Sequence, residues 1–117
     1  MIQIRKTYTE VNPELLYAEI RDFTLKQGVK LGENKMETYT LPDQSASFIS
    51  RGTLTFINKG ETGKSEKECL RAHLVGTARG ETKLMIDADE TLFPEKKIVA
   101  LQEDLDFIFG SYEAEKP

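Results

Sequence analysis

The apolar positions of this chain change period several times between its ends. Residues 2–8 alternate, with Ile2, Ile4, Lys6 and Tyr8 on one side and Gln3, Arg5 and Thr7 on the other. Period two over such a run predicts a half-buried strand. Asn12-Pro13 then reads as a helix cap followed by proline at the first helical position. Glu14 brings a carboxylate to the positive end of that helix. Leu16, Ile20 and Phe23 share one face and Gly28 is a stop, which predicts a helix over residues 12–27.

Residues 28–35, with two glycines, read as a loop. Met36 to Leu41 reads as a strand, and Pro42-Asp43-Gln44 as a turn. Ala46 to Ile57 reads as one long strand whose alternation keeps phase through Gly52. Asn58 to Ser65 is a polar loop and Cys69 to Thr77 a further strand. Ala78-Arg79-Gly80 reads as a tight hairpin connection. Thr82, Leu84, Ile86 and Ala88 mark one face of the last strand. From Pro94 the step changes to three and four: Ile98, Leu101, Leu105, Ile108 and Tyr112 form one stripe of a second helix. Phe107 falls opposite that stripe.

The order of periods is β-α-β-β-β-β-α. It predicts an α+β fold in which one curved antiparallel sheet packs on two helices. The expected core is Leu16, Ile20, Phe23, Phe48, Leu54, Phe56, Leu74, Leu84, Ile86, Leu101, Leu105 and Ile108. At 117 residues the chain has length for a single domain, expected at 1–112, followed by a frayed acidic tail at 113–117.

Charge narrows the partners. The net charge is −4, and residues 87–117 hold nine acidic but three basic groups. That balance argues against nucleic acid as the main ligand. Cys69 is the single cysteine, so no internal disulfide forms, which suits a reducing compartment. No run is long or apolar enough to span a membrane. The chain reads as soluble and cytoplasmic.

Candidate chemistry is sparse. Asn58 to Ser65 ends in the letters of a phosphate-binding loop, yet Asn58 stands where glycine is needed and a strand pattern follows instead of a helix. A hairpin loop is the preferred reading. His73 is the only histidine, and Cys69 lies about 13–14 Å away along the same strand face at roughly 3.3–3.4 Å per residue. The expectation is therefore no metal, no cofactor and no catalytic pair. Tyr8, Tyr17, Glu19 and Tyr39 are polar or amphipathic groups near expected inner faces. In a cavity they would orient a small ligand; in a filled core they need hydrogen-bond partners instead. Arg5, Arg51, Arg71, His73 and Lys83 should project from the opposite sheet face, together with Thr53, Thr55, Ile49, Val75 and Met85. A mixed basic and apolar face suits a protein partner or an anionic polymer, and equally a solvated surface. Phe107 on the acidic second helix is either packed under the tail or part of an interface.

The opening strand followed by Asn12-Pro13-Glu14-Leu15-Leu16, with the terminal helix at 94–112, resembles the START-like helix-grip (SRPBCC) domains and the TATA-binding-protein-like folds. The likeness covers Ile2 to Tyr112 at the level of element order. It implies a sheet gripping the terminal helix, with room for an apolar ligand between them. It carries over no site residue. The leading expectation is a non-catalytic module that binds a partner protein, itself included, or an apolar small molecule. The alternatives are a helix-grip enzyme of the cyclase or hydrolase kind and, behind it, nucleic-acid binding through the open sheet.

Overall fold

The computed structural model describes residues 1–41, 44–58, 66–77 and 80–114, without the side chains of 41 and 44–47. Residues 42–43 of the expected turn at 42–44, most of the phosphate-loop letters, residues 78–79 of the expected connection at 78–80 and the last three tail residues lie outside the described residues, and Gln44 opens β3 instead of closing the turn. The elements are β1 (Ile2–Thr9), α1 (Pro13–Leu25), β2 (Val29–Leu41), β3 (Gln44–Asn58), β4 (Glu68–Thr77), β5 (Glu81–Ala88) and α2 (Glu95–Phe109). A 3₁₀ turn, Gly110–Tyr112, follows α2.

All five strands form one antiparallel sheet in the order β1-β5-β4-β3-β2. Strands β2 to β5 make a meander, and β1 joins its far end beside β5. Helix α1 therefore links the two outermost strands and lies against β2, β3 and β4. Asn12 caps it as expected: its side chain accepts from the Glu14 amide at 2.7 Å. Gly28 follows with φ +91°, a conformation that favours glycine.

The inward rows are set by register. Ile4, Ile86, Ala72 and Leu54 stand side by side across four strands. Two inward positions are glycine because α1 comes close there. A Cβ on Gly76 would meet Pro13 Cγ at 2.6 Å, and one on Gly52 would meet Tyr17 and Met36 at 3.0 Å. The ladder runs unbroken through Gly52.

Several expectations are corrected. The loop expected at 28–35 belongs mostly to β2. Gly32 there marks a bulge, with the register shifting between Leu31 opposite Phe56 and Asn34 opposite Leu54. One extra residue moves the inward phase from Val29 and Leu31 to Met36 and Thr38. The Glu33 amide at the bulge donates to Thr55 Oγ1 at 2.6 Å. Phe48 is 40% exposed rather than buried. It has the inward phase, but among the described residues the last β3–β4 pair on this side is Ile49–Thr77, so Phe48 lies past the paired body. Ile108 is 39% exposed, because Phe109 takes the inward place and packs edge-on against Tyr8 at 6.0 Å. Tyr112 is exposed also, since the α-helix ends before it. Phe23 is half-buried at the core's rim.

The buried set also includes Tyr8, Val11, Cys69, Leu70 and Phe93. Phe93 is turned inward by Asp89, whose side chain accepts from the Thr91 amide at 3.0 Å and hydroxyl at 2.6 Å. Those bonds hold the Asp89 carboxyl below its ordinary range. The start of the expected frayed tail is tied down: Glu113 bridges to Tyr8 and the Ala114 amide donates to Thr7 at 2.8 Å. No helix among the described residues is long and apolar enough to cross a membrane.

Candidate functional site

Both helices pack on one side of the sheet, and among the described residues no element covers the other side. Three cross-strand rows build that open face. Arg5, Met85, His73, Thr53 and Lys35 form the first; Thr7, Lys83, Val75, Arg51 and Glu37 the second. Gln3, Asp87, Arg71 and Thr55 form the third. The expected interface set Arg51, Thr53, Arg71, His73, Lys83 and Met85 is thus brought together. The alternation of β3, β4 and β5 is enough to place it there.

Arg5, Thr7, His73, Val75, Lys83 and Met85 line a groove of about 390 Å³ in this face. Val75 and Met85 are its half-buried apolar floor, and Arg5, His73 and Lys83 surround them with basic groups. Acidic groups stand mostly outside this ring. Arg71 Nη2 donates to Glu68 Oε1 at 2.8 Å, an ion pair that raises the guanidinium's affinity for its proton. Arg5 Nε donates to Gln3 Oε1 at 2.9 Å, and Gln3 in turn donates to Asp87 at 2.9 Å. The Lys83 ammonium is 3.9 Å from Glu81. His73 Nδ1 lies 3.4 Å from the Thr53 hydroxyl.

The expected ligand-pocket set does not converge. Tyr8 is fully buried against Phe109, and its hydroxyl has no hydrogen-bond partner among the described residues. Burial first, then the negative charges of Glu113 and Asp106, push that hydroxyl well above the usual tyrosine range. Tyr17 lies over Gly52, where burial raises its pKa against the opposing charge of Arg21. Glu19 faces Asp104 across the α1–α2 contact. Hydrogen bonding with Asp104, then burial, then Asp104's charge push the Glu19 carboxyl up to about 7. Tyr39 is a correction: the β2 bulge turns it to the open face, where it is 48% exposed and donates to Glu37.

A second groove, of about 410 Å³, lies at the start of α1. Val11, Pro13, Thr38, Phe48, Ser50 and Thr77 are among its walls. No sequence signal marks it, because its walls come from α1, β2, β3 and β4, which meet only in the folded chain. Phe107 is 90% exposed on α2, next to exposed Ile108 and Tyr112.

Among the described residues no group of three or more His, Cys, Asp or Glu side chains is placed to hold a metal. Cys69 is buried with its thiol donating to the Phe56 carbonyl at 3.4 Å, and burial raises its pKa. Such a thiol is a poor nucleophile. No protein family, characterised protein or solved structure matches the chain.

Proposed function

We propose that this chain is a non-catalytic binding module whose open sheet face holds a partner polypeptide. The observation that carries the reading is the contrast between the two faces. Leu101 and Leu105 of α2 and Phe56 of β3 are fully buried on the helix side, whereas the outer face has an open groove with an apolar floor and a basic rim. That chemistry fits an extended partner segment bearing acidic and apolar side chains. We also read the β-α-β-β-β-β-α string as a reduced helix-grip or TATA-binding-protein-like fold, supported by the packing of α2 against Tyr8. The buried, unpaired Cys69 supports a reducing, cytoplasmic setting.

The test is selection from a display library of random ten-residue peptides. Enriched peptides should carry Asp or Glu beside an apolar residue. Their binding should weaken at least tenfold in Lys83→Glu and Arg5→Glu, and should weaken with salt. Enriched peptides without acidic bias, or bound equally by both variants, would sink the reading.

A second reading has its own observation. Phe48 and Val11 give the groove at the start of α1 an apolar wall large enough for a small ligand. A long-chain fatty acid that raises the melting temperature, with the effect lost in Phe48→Ser, would favour this reading over the first.

A further inference from the structure

The two edges of the sheet are treated differently. The outer edge of β1 is partly covered by the chain itself, through the Glu113 bridge and the Ala114 amide. Lys6 reinforces that cover, lying 3.0 Å from Glu113 and 3.5 Å from Asp106. The opposite edge is the outer side of β2, and among the described residues no strand pairs with it. Beyond the bulge, residues 34–40 keep unbroken register with β3, from Asn34–Leu54 to Thr40–Phe48. This stretch has no proline and no glycine. Its charges are Lys35 and Glu37, of opposite sign and on the same face. A regular strand edge of this kind is a template for another strand.

The charge pattern identifies that strand. In an antiparallel pair about a two-fold perpendicular to the sheet, directly opposite residues face the same way. Centring the axis on Met36 sets Lys35 opposite Glu37 of a second copy, and Glu37 opposite Lys35 of that copy. Asn34 then meets Thr38. Centring on Lys35 or on Glu37 sets like charges against each other, which is unfavourable. Centring on Asn34 drives the ladder into the bulge. Centring on Thr38 sets Lys35 opposite Leu41 and Glu37 opposite Tyr39, so neither charge has an opposite, and any later centre carries Lys35 past the end of β2. Met36 faces the helix side, where its Cε and Tyr17 both approach Gly52, so two methionines would meet on an apolar support.

We propose that a second copy of this chain pairs antiparallel along the outer edge of β2 about a two-fold at Met36, joining two five-stranded sheets into one. The pairing leaves the open face intact and stands independently of the partner reading above. Lys35 and Glu37 form a salt bridge within their own strand in the single chain. Assembly exchanges it for two cross-strand pairs. The ladder is short, so the dimer belongs with small, transient interfaces, and its dissociation constant falls in the micromolar range.

Sedimentation equilibrium over about 5–500 µM spans that range. The expected result is a reversible dimer. Glu37→Lys and Lys35→Glu should each weaken it roughly tenfold, and the double reversal should restore it, because the pairs re-form with exchanged sign. Circular dichroism of each variant checks that the sheet is intact. Met36→Cys gives a second readout. Opposite residues in an antiparallel pair have Cα atoms about 4.5–5.5 Å apart, within disulfide reach. Mild oxidation should link Met36→Cys copies and leave Thr38→Cys copies unlinked. A wild-type monomer throughout, a dimer indifferent to both reversals, or equal linking at 36 and 38 would each overturn the proposal.

Discussion

Gly76 offers a direct test of how closely α1 lies on the sheet. Its backbone is ordinary strand, paired with Ser50 and Thr82, so only space demands glycine there. In Gly76→Ala the new Cβ would stand 2.6 Å from Pro13 Cγ and 3.0 Å from Pro13 Cβ. Pro13 is the first residue of α1 and its ring cannot swing aside, so the helix start must move. Overpacking of this kind costs about 1–3 kcal/mol. Loss of backbone freedom in the unfolded chain returns about 0.4–1 kcal/mol. The net expectation is a destabilisation of about 1–2 kcal/mol, read by urea unfolding followed by circular dichroism. Pro13→Ala removes Cγ, the ring atom nearest the new methyl, together with Cδ, and keeps Cβ. The double variant should therefore be more stable than the two single changes sum to, by about 1 kcal/mol. A Gly76→Ala protein as stable as wild type, or a cycle without coupling, would refute the close approach of α1.

Leu105 is fully buried, so Leu105→Ala should cost about 2–5 kcal/mol in the same assay; a loss below half a kcal/mol would remove Leu105 from the core. The Glu19 carboxyl keeps its proton up to about 7 in the folded chain against an ordinary 4.5. The folded state therefore holds a proton the unfolded state has lost, and stability falls as pH rises through that window, then levels off. Glu19 is half-buried between Asp104, Asp22 and Lys26, so solvent screening reduces the effect to about 1 kcal/mol. Glu19→Gln should flatten the profile from pH 4.5 to 7, and an unchanged profile would assign the effect elsewhere. Phe107→Ser should leave stability within about 0.5 kcal/mol of wild type, since the ring touches little in the folded chain.

Element order was legible because each segment carries one clear period. The Asn12 cap, Gly28, the alternation of Leu70 to Gly76 and the stripe Ile98, Leu101 and Leu105 each follow from local chemistry. The residues of the open face were legible for the same reason, since alternation decides which side of a sheet a residue takes, but not the groove they form. What stayed hidden depends on non-local facts. Gly32 looked like a loop glycine because a bulge in β2 cannot be told from a break without its partner strand. The bulge in turn reversed Tyr39. Phe48 kept the right phase but lay past the last described pair of β3 with β4. Ile108 and Phe109 flank Leu105 almost equally by helical angle, and contact with Tyr8 decided between them. The Glu19–Asp104 pair joins two helices distant in sequence, so neither segment signals it.

The position of β1 has a consequence for how the chain comes to be folded. Its partner is β5, so Ile2 pairs with Ala88, more than eighty positions later. Strands β2 to β5 can zip hairpin by hairpin, each closing a short loop at little entropic cost. The first strand has no neighbour until the last is in place. During synthesis it precedes its partner by the whole of the meander, and α1 has to carry the chain from one edge of the sheet to the other. Long-range closure of this sort slows folding relative to local pairing. The strand made before the rest of the sheet thus depends on the strand made after it, and its cover by Glu113 and Ala114 comes from beyond α2.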